Sequence, residues 1–165
     1  MATAVYVIDT SSLIDLKPYP KDLFPTLWTN LDSLIVGKRL ISTKMVPREL
    51  EQYVVRDDIA RWARKNIRAF SEIDNDQLKN VKRILAEFPG WVDTDQERNI
   101  ADPFVVALAM TRDKRPSLEL IDSKRIVVSE EKYKENKINI PSVCLKYKIE
   151  CIDHFEMFRR EGWKF

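Results

Sequence analysis

Glycine and histidine are scarce in this chain, and their scarcity excludes several common kinds of active site. Three glycines occur among 165 residues, too few for a glycine-rich dinucleotide turn or a phosphate-binding P-loop. His154 is the one histidine, so Ser-His-Asp catalysis would depend on it alone, and a zinc site built from histidines or paired cysteines is excluded. Cys144 and Cys151 form no CxxC pair and no disulfide framework, so we expect buried thiols.

The chain also lacks long apolar runs and a strong excess of one charge. No stretch approaches the roughly 18 apolar residues of a membrane span, and the short N-terminal run lacks the basic leader of a secretory signal. We therefore expect a cytoplasmic protein with no membrane partner. Lys and Arg number 28 against 26 Asp and Glu, so a nucleic-acid role would require local basic patches. Length and composition predict a single domain over residues 1–165.

Apolar strands alternate with amphipathic helices along the chain. The run Val5-Tyr6-Val7-Ile8 predicts a strand buried on both faces, because one-sided burial would alternate apolar with polar residues. Further strands are predicted over 39–42, 125–131 and 149–152, and helices over 11–16, 22–37, 46–54, 58–70, 76–88, 101–110, 140–144 and after Asp153. No strand is predicted between 49 and 88, and residues 117–121 could form either an extra strand or an irregular loop. This alternation predicts a three-layer α/β/α fold with a mostly parallel central sheet.

Four acidic residues fall at predicted strand ends or helix starts. Asp9 follows the first strand, Glu49 follows the second, Asp102 begins the apolar helix, and Glu131 ends the strand that starts near Arg125. In a parallel sheet these ends share one edge, which is where open α/β sheets bind ligands. Four carboxylates gathered there would repel one another unless divalent cations neutralised them. Oxygen ligands suit Mg²⁺ or Mn²⁺, which hold phosphates and activate water.

Each of these acids also has an ordinary structural explanation. Asp9 could cap the turn that follows it, and an aspartate before proline, as at Asp102, is a common way to start a helix. Glu49 suits the positive end of a helix dipole, and Glu131 alone would be an ordinary surface acid. The four together, rather than any one of them, favour a functional site.

Four segments of the chain resemble the acidic motifs of a known nuclease family. They are Val7-Ile8-Asp9-Thr10-Ser11, Pro47-Arg48-Glu49-Leu50, Ala101-Asp102-Pro103-Phe104-Val105 and Val127-Val128-Ser129-Glu130-Glu131. In this order they resemble the four motifs of PIN-domain ribonucleases, particularly the VapC-like toxin branch, whose third motif is Ala-Asp-Pro. The resemblance runs from Val5 to about Ile152. It implies a metal-dependent endoribonuclease that hydrolyses RNA phosphodiester bonds with Mg²⁺ or Mn²⁺ as cofactor.

The resemblance also implies roles for individual residues. The implied metal ligands and catalytic acids are Asp9, Glu49, Asp102 and Glu131, with carboxylates oriented by Ser11 and Ser129. The family more often has aspartate at the fourth position, so Glu130 stays an alternative to Glu131. Strand alternation favours Glu131, because it would share a face with Val127 and Ser129.

Substrate binding would require cations and aromatic rings beside the acids. Two basic residues, Lys44 and Arg48, flank Glu49 in the sequence. Four more lie along the next predicted helix, namely Arg61, Arg64, Lys65 and Arg68. These six side chains could bind phosphates. Tyr53 and Trp62 could stack on unpaired bases. The competing interpretation of the basic residues is an ordinary solvated helix face. For Trp62 the competing interpretation is a core position, which its helical spacing with Ile59 and Ala63 favours.

Three other functions compete with the nuclease. An inactive PIN-like module would bind RNA or protein without turnover. An aspartyl-phosphate phosphatase would also place Asp9 after the first strand, but it usually has a second acid two residues later, where this chain has Ser11. An interaction protein could use exposed apolar positions of the predicted helix between residues 22 and 34, or near Trp163 and Phe165. The toxin resemblance implies a protein antitoxin and a homodimer.

Overall fold

The computed structural model describes residues 3–53, 58–93, 100–111 and 123–165. Its strands are β1 (Val5–Ile8), β2 (Leu40–Thr43), β3 (Phe70–Ser71), β4 (Arg125–Val128) and β5 (Cys151–Ile152). Its helices are α1 (Thr10–Ile14), α2 (Pro25–Val36), α3 (Met45–Tyr53), α4 (Asp58–Lys65), α5 (Asn75–Glu87), α6 (Asp102–Met110), α7 (Ile140–Lys146) and α8 (His154–Arg160). A short 3-10 helix, Ile67–Ala69, precedes β3.

The five strands form one parallel sheet in the order β3-β2-β1-β4-β5. Helices pack around this sheet, which confirms the predicted three-layer α/β/α fold. The strand order reverses direction between β1 and β4, where Ile8 is in register with Val128. Crevices of this kind, outside the carboxyl ends of the strands, are where open α/β sheets bind ligands.

The core lies between the sheet and the helices that cover it. Every residue of β1 is buried, as expected for a central parallel strand covered on both faces. Helix α6 packs against β1, β2 and β4, and Val105, Val106 and Ala107 on it are fully buried. This burial fixes the start of α6, and therefore Asp102, against the carboxyl edge of the sheet.

The structure corrects several predicted boundaries. Phe70–Ser71 forms an edge strand paired with β2, so the prediction of no strand between 49 and 88 is wrong. Helix α2 begins at Pro25 rather than at residue 22, because proline suits the first helical turn. Strand β4 ends at Val128, so Glu131 lies beyond the strand rather than at its end. The predicted alternatives for residues 117–121 lie outside the described residues.

Two expectations from composition can be compared with the structure. Both cysteines are free thiols; Cys144 is buried as expected, whereas Cys151 is only half-buried. Among the helices in the described parts of the chain, none has the length and apolar character needed to cross a membrane.

Candidate functional site

Asp9 lies at the point where the strand order reverses, directly after β1. Its backbone N–H donates to the carbonyl of Val128 at 2.9 Å, which extends the pairing of β1 with β4 by one residue. Its Oδ2 accepts hydrogen bonds from the N–H of Ser11 at 3.2 Å, the hydroxyl of Ser11 at 2.6 Å and the hydroxyl of Ser129 at 3.3 Å. Its Oδ1 is buried and has no hydrogen-bond partner among the described residues. Such an atom is unfavourable without a ligand.

Asp102 and Glu131 meet Asp9 in the same pocket. One carboxylate oxygen from each of the three lies within 4.8 Å of the others. Asp102 is the first residue of α6 and is 5% exposed, and its Oδ2 is a second buried oxygen without a hydrogen-bond partner in the described structure. Glu131 faces the start of α7, where the backbone N–H of Ile140 acts to lower the pKa of its carboxyl against the larger effect of burial. We call Asp9, Asp102 and Glu131 the acid group.

Glu49 lies beside the acid group and is held by a residue of α1. The hydroxyl of Thr10 donates to its Oε2 at 2.5 Å. Glu49 is half-buried; burial is the main cause that raises its pKa, against the hydrogen bond from Thr10, and the charges of Asp9 and Glu131 raise it further. The structure therefore places all four predicted acids at one edge of the sheet, with Glu49 outside the closest set of three.

Burial and mutual repulsion disfavour the charged forms of these carboxyls. Burial is the main cause that raises the pKa of Asp102 to about 9, followed by the charges of Asp9, Glu131 and Glu49. Burial also raises the pKa of Asp9, against the hydrogen bonds from Ser11, and the pKa of Glu131, where the Asp9 charge adds to it. Carboxyls that resist ionisation in the metal-free protein are stabilised as anions by a divalent cation.

Ser11 and Ser129 connect Asp9 to the segment that follows β4. Besides donating to Asp9, the Ser11 hydroxyl accepts the N–H of Glu130 at 3.0 Å, and the Ser129 hydroxyl accepts the N–H of Glu131 at 3.3 Å. The two hydroxyl oxygens are 3.3 Å apart. These bonds fix the backbone that carries Glu131, so the two serines orient two members of the acid group.

Glu130 points to a different set of partners. Its Oε1 accepts from the hydroxyl of Ser12 at 2.9 Å, the N–H of His154 at 3.0 Å and the Nδ1 of His154 at 2.7 Å. The structure thus brings Glu131, not Glu130, to Asp9 and Asp102. Sequence analysis missed this contact with His154, since the two residues are 24 positions apart and no local pattern joins them.

The predicted RNA-binding residues fall into two classes. Lys44 forms an ion pair with Glu72, and Arg61 pairs with Asp58 one turn earlier on α4. The side chains of the other four are largely exposed, namely Arg48, Arg64, Lys65 and Arg68. They remain candidates for contacts with phosphates.

Neither predicted stacking ring is supported by the structure. Trp62 is 1% exposed and its Nε1 donates to Asp32 at 2.7 Å. Trp62 is therefore a core residue, as its helical spacing with Ile59 and Ala63 favoured, and it does not stack on RNA bases. The side chain of Tyr53 lies outside what the structure describes.

The donor set of the acid group fits a hard divalent cation. Among the described residues, Asp9 Oδ1 and Asp102 Oδ2 are buried acceptors without donors. One carboxylate oxygen of Glu131 lies within 4.8 Å of a carboxylate oxygen of each of these two aspartates. Mg²⁺ and Mn²⁺ prefer such oxygen ligands. The unpaired oxygens therefore supply what a cation would require.

The fold and the acid group define an open, all-parallel α/β protein with a candidate cation site at the switch point of its sheet. The chain belongs to the family described as a domain of unknown function, DUF4411, whose model matches residues 6–165. No curated protein and no solved structure matches the chain. The family description names no activity, so function has to be argued from the site.

Proposed function

We propose that this protein is a divalent-metal-dependent ribonuclease that hydrolyses RNA phosphodiester bonds. The observation that carries the proposal is the pair of buried oxygens, Asp9 Oδ1 and Asp102 Oδ2, which have no hydrogen-bond partner in the described parts of the chain. They belong to two of the three carboxylates that converge at the switch point of a parallel sheet. Carboxylate pockets with this placement suit cations that act on phosphate groups.

The residues of the chain have separable roles in this proposal. Asp9, Asp102 and Glu131 would hold the cation, and Glu49, held by Thr10, would complete the acidic edge. Bound there, Mg²⁺ or Mn²⁺ would supply charge neutralisation and Lewis-acid activation of the phosphodiester. Ser11 and Ser129 keep Asp9 oriented through its Oδ2, which leaves Oδ1 directed to the ligand.

The remaining parts of the proposal rest on the resemblance to PIN-domain nucleases. A role as the toxin of a toxin–antitoxin pair, inhibition by a protein antitoxin and a homodimer come from that resemblance, whereas the cytoplasmic location is proposed from composition and hydropathy. Four exposed cations support an RNA substrate electrostatically, namely Arg48, Arg64, Lys65 and Arg68. Lys and Arg side chains bind nucleic acids largely by neutralising the charge of the phosphate backbone.

The test is cleavage of a mixed RNA pool by wild-type protein and the Asp9→Asn variant. Mg²⁺ and Mn²⁺ are titrated, with EDTA as the metal-free reaction. The control variant is Asp22→Asn, which removes an exposed carboxylate that is not part of the acid group. We expect metal-dependent cleavage by wild type and Asp22→Asn, and loss of cleavage in Asp9→Asn with its thermal unfolding still cooperative. Equal cleavage by wild type and Asp9→Asn would refute the proposal.

Metal binding measured by calorimetry on the same samples separates the nuclease from the inactive module. Binding of Mg²⁺ or Mn²⁺ to wild type, weakened in Asp9→Asn, is expected alongside cleavage. Metal binding without cleavage of any RNA in the pool would favour the binding module. No metal binding and no cleavage would refute both.

A further inference from the structure

A cleft of about 380 Å³ opens beside the acid group at the same edge of the sheet. It shares Ser129 and Glu131 with the site described above, and its other walls come from the segment after β4, from β5 and from the first turns of α7 and α8. These walls include Lys132, Tyr133, Pro141, Cys151, Asp153 and Glu156. We call it the Tyr133 cleft. Its volume lies near the lower end of the roughly 300–1,000 Å³ that small-ligand sites occupy.

The walls of the Tyr133 cleft suit a flat, uncharged group better than a phosphate. Tyr133 is 55% exposed, so its ring is available for stacking. Glu131, Asp153 and Glu156 place three carboxyls around the cleft, whereas Lys132 is the one cation among the described residues that line it. That lysine is already 3.3 Å from Asp153. An anion would therefore be repelled, while an aromatic base would find a stacking surface.

The carboxylates of the cleft retain capacity to accept hydrogen bonds. Asp153 Oδ1 accepts from the N–H of Glu156 at 2.8 Å, and Glu156 Oε1 accepts from Arg160 at 3.0 Å. Glu156 Oε2 lies 3.6 Å from Arg159 in a partly exposed ion pair. A carboxylate has about four acceptor positions, so both can accept further bonds. Adenine, cytosine and guanine each carry an exocyclic amino group that can donate to such oxygens, whereas the exocyclic groups of the uracil ring are both carbonyls.

We propose that the Tyr133 cleft binds the base of the nucleotide next to the scissile phosphate, and that it favours a base with an exocyclic amino group, such as adenine or cytosine, over uracil. Tyr133 stacks on the base, and Glu156 accepts from its amino group. This inference rests on the proposed function, because the acid group is what would hold the phosphate. The shared wall of Ser129 and Glu131 makes the cleft continuous with that group.

Binding of short oligo(A), oligo(C) and oligo(U) RNA, measured by fluorescence anisotropy, tests the proposal. Ca²⁺, a hard cation of looser coordination geometry, replaces Mg²⁺ to limit turnover. We expect wild type to bind oligo(A) and oligo(C) more tightly than oligo(U). Tyr133→Ala should weaken binding by roughly 5- to 150-fold, the range of one base–aromatic stack, while Tyr133→Phe should retain wild-type affinity.

Two further variants check the specificity of the effect. Glu156→Gln should bring the affinities for oligo(A) and oligo(C) close to that for oligo(U), because an amide can also donate to uracil. Phe165→Ala removes a ring that is 59% exposed and does not line the Tyr133 cleft, so it should bind as wild type does. Circular dichroism of every variant confirms that the fold is retained.

The outcomes separate this inference from the proposed function. RNA binding and metal-dependent cleavage by wild type, with Tyr133→Ala binding as tightly as wild type, would overturn the cleft assignment and leave the nuclease intact. An equal loss in Tyr133→Ala and Phe165→Ala would also overturn it. If wild type neither binds RNA in Ca²⁺ nor cleaves it in Mg²⁺, both proposals fail together.

Discussion

Replacing Asp102 with asparagine should stabilise the metal-free protein, although it removes part of the candidate site. Asp102 is 5% exposed, and burial among other acids raises its pKa to about 9 from the ordinary value of 3.8. Between these two pH values the folded chain holds a proton that the unfolded chain releases. Stability therefore falls as pH rises through this window, and the whole penalty is present above about pH 9.

The magnitude at neutral pH follows from the same numbers. Each pH unit above 3.8 lowers the free energy of unfolding by about 1.4 kcal/mol, so the penalty at pH 7 is at most about 4 kcal/mol. Asparagine has nearly the same shape and no charge. We expect Asp102→Asn in EDTA at pH 7 to be more stable by about 2–4 kcal/mol, which raises Tm by about 5–15 °C in a chain of this size.

Urea and thermal unfolding of wild type and Asp102→Asn, from pH 5 to pH 9, measure this effect. The advantage of the variant should grow with pH and be smallest near pH 5. Mg²⁺ or Mn²⁺ should stabilise wild type and have little effect on the variant, because a ligand stabilises only the state that binds it. Asp22→Asn, at an exposed aspartate, is the matched control. A variant less stable than wild type in EDTA at every pH would refute the reasoning.

Two other substitutions test residues that the structure assigns to the fold. Trp62→Phe should lower the free energy of unfolding by about 2–4 kcal/mol, because the hydrogen bond to Asp32 is lost and the ring is smaller. RNA affinity should be unchanged. Weaker RNA binding at unchanged stability would contradict the assignment of Trp62 to the core. His154→Ala should lower stability by a similar amount, about 2–4 kcal/mol, because it opens a cavity and deprives Glu130 of its 2.7 Å partner. His154→Gln, whose amide can donate to the same carboxylate, should recover part of the loss in urea unfolding, and equal losses in the two variants would contradict the role of that hydrogen bond.

The central strands and the buried helix could be predicted because their patterns are local. Val5–Ile8 is apolar at every position. The nearly all-apolar run over 101–110 predicted a helix that starts at residue 101, and α6 starts at Asp102. Strand β3 could not be predicted in this way. The two residues Phe70–Ser71 are too few to show a periodic pattern. They form a strand because they pair with the free edge of β2.

The choice between Glu130 and Glu131 shows a limit of pattern reasoning. Alternation along a strand favoured Glu131, but β4 ends at Val128, so alternation is not what places that side chain. Two contacts decide the placement: the hydrogen bond from the Glu131 N–H to the Ser129 hydroxyl, and the hydrogen bond between His154 Nδ1 and the Glu130 carboxylate. The bond to Ser129 is local, but the contact with His154 depends on where α8 lies relative to the segment after β4, which local sequence does not encode.

The sequence by itself determined the layered α/β architecture and the position of Asp9 after the first buried strand, because burial and strand alternation are properties of neighbouring residues. Only the tertiary structure decided that Asp9, Asp102 and Glu131 lie within reach of one cation, with Glu49 beside them. The physical reason is that distances between residues far apart in the chain depend on strand order and register. Those are set by packing of the whole molecule.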